Sequence, residues 1–125
     1  MAIFEDLGGK IITKIEGGIG DSRMSFTTKD GEIYSLYHEQ DCCESVDIND
    51  ICGDINDLLN EPILLAEEVS HHNENPESVK KSEWQDSFTW TFYKLSTNKG
   101  SVTIRWYGES NGYYSESVDF QKVGE

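Results

Sequence analysis

Along most of this chain apolar residues recur at every second position, in short runs closed by turn residues. Over 23–29, Met24, Phe26 and Thr28 alternate with Arg23, Ser25 and Thr27, the period-two pattern of a strand with one covered face. Asp30-Gly31 then supplies a positive-φ pair for a tight hairpin, and 32–40 returns as the partner strand. Upstream, 10–16 carries Ile11, Ile12 and Ile15 and ends in the turn Gly17-Gly18-Ile19-Gly20. Downstream, 63–70 reads as a strand and 71–86 as a polar surface loop containing Pro76. Three further strands follow at 87–96, 101–107 and 113–123, with turns at 97–100 and at Ser110-Asn111-Gly112.

One stretch departs from this rhythm. Between Asp47 and Asn60 the apolar residues Ile48, Ile51, Cys52, Ile55, Leu58 and Leu59 fall three and four apart, which predicts a helix over 47–60. Asp47 would cap it, Val46 would staple onto Ile51, and Asn60 and Pro62 would end it. The predicted fold class is α+β, an antiparallel β-meander of about seven strands with one helix. Residues 1–125 read as a single domain.

This arrangement leaves apolar surface on both sides of the sheet. Phe88, Trp90 and Phe92 share one face and Tyr93 and Leu95 the other, while Val102, Ile104 and Trp106 oppose Thr103, Arg105 and Tyr107. A helix of about 13 residues spans only about 20 Å and cannot cover both. Either the sheet closes as a barrel or sandwich, or oligomerisation covers a face; the favoured expectation is a homo-oligomer.

Charge and composition narrow the function. Ten Lys and Arg against 24 Asp and Glu give a formal charge of −14, which argues against duplex nucleic acid as a partner. Arg23 and Arg105 are the only arginines, so an anion site would be small and local. No run approaches the roughly 18 apolar residues of a membrane span, and Met1–Asp6 lacks a signal-peptide layout, so no membrane partner is expected. Three cysteines, an odd number, fit a reduced cytoplasmic protein.

Candidate chemistry is sparse. His38, Cys42, Cys43 and Cys52 are close in sequence, but adjacent cysteines form a zinc knuckle poorly, and they read as packing groups. The repeated Asp-Ile-Asn-Asp at 47–50 and 54–57 fails as an EF-hand, since positions five and six from Asp47 are Ile51 and Cys52. No nucleophile elbow or phosphate loop is present, so neither an enzyme nor a cofactor is expected. The informative constellation is W-T-F-Y-K-L-S-T at 90–97 followed by 100–118. Aromatic faces beside a lone arginine suit a base and a phosphate. The candidate ligand-binding residues are Arg105, Arg23, Phe88, Trp90, Asn98, Tyr107, Asn111, Tyr113 and Glu116. A two-residue hairpin at Asn111-Gly112 would set 105 opposite 118 and bring Glu116 beside Arg105.

The strings Y-H-E-Q-D-C-C-E-S-V at 37–46, D-I-C-G-D-I-N-D-L at 50–58, A-E-E-V-S at 66–70 and R-W-Y-G-E-S-N-G-Y-Y at 105–114 resemble the phage Thoeris anti-defence sponge family, the first type described. The resemblance covers roughly 34–120. It implies a protein without catalytic residues that binds and sequesters a cyclic ADP-ribose isomer, glyco-cyclic ADP-ribose, and so silences the bacterial Thoeris signal. It also implies a homo-oligomer, from a dimer up to a hexamer, with cyclic trinucleotides as further ligands and the infected host's cytoplasm as location. The competing reading is an acidic DNA mimic or protein-binding inhibitor, for which the −14 charge would have to gather in one stripe; its carboxylates are instead scattered.

Overall fold

The computed structural model describes residues 3–38, 44–72, 87–110 and 116–123, with backbone alone at 71, 72 and 87. Among the described residues, eight strands form two four-stranded antiparallel sheets. They are β1 (Ile12–Glu16), β2 (Arg23–Thr28), β3 (Ile33–Tyr37), β4 (Ser45–Cys52), β5 (Leu65–His72), β6 (Ser87–Thr97), β7 (Gly100–Ser110) and β8 (Asp119–Lys122). The first sheet has the order β1-β2-β3-β8 and the second β4-β7-β6-β5.

Alternation explains the packing. Met24, Phe26 and Leu36 of the first sheet and Leu95, Ile104 and Trp106 of the second point into one shared core. A 3-10 turn at Phe4–Leu7 adds Phe4 and Leu7 to it. The sheet that carries Trp106 is therefore covered on that face by the other sheet of the same chain, and no second subunit is needed there. On its opposite face Phe88 and Trp90 are also buried, at 1% and 4% exposure, outside the shared core. The packing argument for an oligomer is thus met within the chain.

The predicted helix over 47–60 is not formed, and no α-helix occurs among the described residues. Residues 45–52 are β4, and only Ile55–Leu58 turns, as a 3-10 segment capped by the Asp54 carboxylate on the Asn56 amide at 3.0 Å. Two features defeat the helical spacing. Isoleucine, aspartate and asparagine dominate the stretch, and these are poor helix formers. Gly53 adopts φ +106°, and a Cβ there would lie 2.5 Å from the Ser101 carbonyl oxygen. The chain must turn sharply and closely at that point.

The meander is corrected too. The second hairpin turns through residues 29–31, with only Gly31 of the expected Asp30-Gly31 pair at positive φ. The β6–β7 hairpin is as expected, with Thr97 paired to Gly100. The last strand, predicted over 113–123 beside β7, instead crosses to the first sheet, where Asp119–Lys122 pairs with β3. The Asn111-Gly112 turn, Cys42, Cys43 and the 73–86 part of the predicted loop lie outside the described residues. No helix of the described residues is long and apolar enough to cross a membrane.

Candidate functional site

The outer face of the second sheet gathers Phe88 and Trp90 of β6 and Tyr107 of β7. Their register sets Trp90 opposite Tyr107, Phe92 opposite Arg105 and Phe88 opposite Glu109. Trp90 and Tyr107 meet at 4.4 Å between ring centroids, and Phe88 and Tyr107 at 6.3 Å. The Arg105 guanidinium lies 4.8 Å from the centre of the Trp90 ring, a cation–π geometry.

A fourth participant comes from β4. The β4–β7 register slips between Ile48 and Asp50, so that Asn49 is the extra residue of a bulge. Asn49 Oδ1 accepts from both Nε and Nη2 of Arg105, at 3.0 and 2.6 Å. Asp50, the register partner of Arg105, turns away: its carboxylate accepts from the Ile51 amide at 2.9 Å and the Cys52 thiol at 3.6 Å. Among the described residues no carboxylate is within ion-pair distance of Arg105. A guanidinium has five N–H donors, and Asn49 takes two of them. Lys10, Lys14 and Lys122, by contrast, each pair with a glutamate.

Acidic groups border this face. Tyr107 donates to Glu109 Oε2 at 3.1 Å, and Asp47 pairs with Tyr107 in the β4–β7 register. Burial, reinforced by the Glu109 charge, pushes the Asp47 carboxyl above its usual range.

Those of the sequence-predicted residues that are described do not all lie together. Arg105, Trp90, Tyr107 and Phe88 come together as described. Arg23 belongs to the first sheet, 5.3 Å from the centre of the Tyr37 ring. The two sheets are stitched nearby: Gly20 donates to the Ile48 carbonyl at 2.8 Å, and Ile48 donates to that of Asp21 at 2.9 Å. Asn98 is exposed in the β6–β7 turn, eight residues along the strand from Trp90, a separation of roughly 25 Å in extended chain. Glu116 is buried and accepts from the Thr89 and Ser110 hydroxyls, not from Arg105. It lies against Gly108, where a Cβ would meet the Glu116 carbonyl oxygen at 2.8 Å. Asn111 and Tyr113 lie outside the described residues.

Two features escaped sequence reasoning. Asn49 is hidden because the three-and-four spacing predicts a helix over 47–60, and a helix has no place for a bulge. The other is a buried pair: His38 Nε2 meets Glu44 Oε2 at 2.9 Å, and Nδ1 donates to the Ser117 carbonyl at 2.8 Å. His38, weighed as a metal ligand, is engaged there, and among the described residues no group of three metal-binding side chains occurs.

Fold and site define an antiparallel β-sandwich that presents a cation on an aromatic platform. The chain belongs to the DUF7448 family, a domain of unknown function whose family model matches residues 5–120. Comparison with curated proteins and with solved structures finds no match.

Proposed function

We propose that this protein binds a cyclic ADP-ribose isomer, glyco-cyclic ADP-ribose in the first instance, and sequesters it intact in the host cytoplasm, so that a bacterial Thoeris effector is not switched on. One observation carries this reading. In a chain with 24 acidic residues, Arg105 is stacked on Trp90 and held by a neutral amide, with no ion-pair partner among the described residues. That is the state in which a guanidinium takes a pyrophosphate through charge-assisted hydrogen bonds. Beside it Tyr107, half-buried against Trp90, supplies stacking surface of the kind a base requires. The sequence resemblance points to the same ligand class. It is also the source of the homo-oligomer, from dimer to hexamer, and of cyclic trinucleotides as further ligands.

Sequestration is distinguished from turnover by what leaves the protein. Purified protein is incubated with glyco-cyclic ADP-ribose, freed of unbound ligand, heat-denatured and the released material chromatographed. Recovery of the unaltered cyclic nucleotide supports the proposal. Recovery of linear ADP-ribose would replace it with a hydrolase, and no retained nucleotide would remove it.

A further inference from the structure

We infer that Asn49 is a positioning residue for anion recognition: its amide fixes Arg105 on Trp90 while leaving the guanidinium charge unneutralised. The inference rests on the binding reading above and deepens it by assigning a residue and a charge requirement. Three observations converge. The bulge places Asn49 out of the ladder rhythm, and its Oδ1 takes two N–H groups of the same guanidinium. Directly opposite Arg105 stands Asp50, which could have paired with it, but its carboxylate is engaged by Ile51 and Cys52. The cation is thereby ordered without being cancelled. An arginine so held loses little side-chain freedom when an anion arrives, and its affinity is spent on the ligand and not on a resident carboxylate.

The corresponding ligand chemistry is a phosphate or diphosphate whose oxygens can face the remaining N–H donors. A carboxylate at 49 would preserve the clamp and abolish the charge advantage; a methyl would remove the clamp. The two substitutions therefore separate the two parts of the inference.

The test uses the full-length, uniformly 15N-labelled protein. With two arginines in the chain, two Nε–Hε correlations are expected, and Arg23→Lys assigns that of Arg105. Asn49→Ala should lose the Arg105 signal to solvent exchange, whereas Asn49→Asp should keep it. Calorimetry with glyco-cyclic ADP-ribose, with inorganic pyrophosphate as a competing probe, should show weakening in both, by about tenfold or more for Asn49→Asp. An unchanged Arg105 signal in Asn49→Ala overturns the clamp. Wild-type affinity in a folded Asn49→Asp protein overturns the charge requirement. Failure of the wild type to bind overturns the sequestration reading instead, and the Nε–Hε signal then still decides the clamp.

Discussion

Two lysines converge on one carboxylate in this molecule, and one of them, Lys10, also lies 5.7 Å from the centre of the Tyr34 ring. Glu32 accepts from Lys10 Nζ at 2.9 Å and pairs with Lys122 Nζ at 2.7 Å, while both arginines lie on aromatic rings. The hydrogen bond from Lys10, then that from Lys122, lowers the Glu32 carboxyl to about 2 from its ordinary 4.5. The sign follows from linkage: a carboxyl held low in the folded state contributes above its unfolded value and loses that contribution as pH falls through the folded one. Acid titration of stability should therefore show wild type and Glu32→Gln separated near neutral pH. Their difference should close between pH 4.5 and about 2. A gap that stays constant across this window would mean the two lysines do not hold Glu32 as described. Because these groups are partly solvated, the effect should also shrink in high salt.

At the scale of elements, the decisive positions are where the chain changes direction. Gly53 closes β4 with a positive φ and a carbonyl 2.5 Å from where its Cβ would be. Gly31 shares the positive φ but has nothing within 4 Å. Gly53→Ala should therefore cost more than the roughly 1–3 kcal/mol of backbone strain expected at either site, and Gly31→Ala only that strain. Urea denaturation of both variants checks it; equal losses would contradict the close approach at Gly53. The same segment shows what sequence could reveal. Strands β2, β3, β6 and β7 were legible because their alternation has a single interpretation. Residues 47–60 allowed two, since Ile48, Ile51 and Ile55 satisfy a helical spacing while a bulge at Asn49 lets Ile48 and Ile51 both face the core from a strand. Periodicity counts residues and cannot see an inserted one. The crossing of β8 to the other sheet was hidden for a related reason: an Asn-Gly pair signals a turn, not the strand that the chain will next accompany.

For the whole molecule, one face of the two-faced apolar sheet is covered by a second sheet of the same chain and not by a helix. This sandwich leaves Arg105, Trp90, Tyr107 and Asn49 on one outer face. That Phe88, Trp90, Arg105 and Tyr107 share a face was legible because period-two spacing fixes which side chains lie together. Glu116 and Asn98 stand apart from Arg105 because their neighbours depend on chain paths that spacing does not encode. The central claim is that Arg105 anchors an anionic cyclic nucleotide on this platform, and calorimetry of the intact protein with glyco-cyclic ADP-ribose tests it most directly. Wild type should bind. Arg105→Ala, with its thermal unfolding unchanged, should lose about two decades of affinity or more, and Arg105→Lys should bind poorly because an ammonium lacks the planar fork. Wild-type affinity in a folded Arg105→Ala protein would contradict the account.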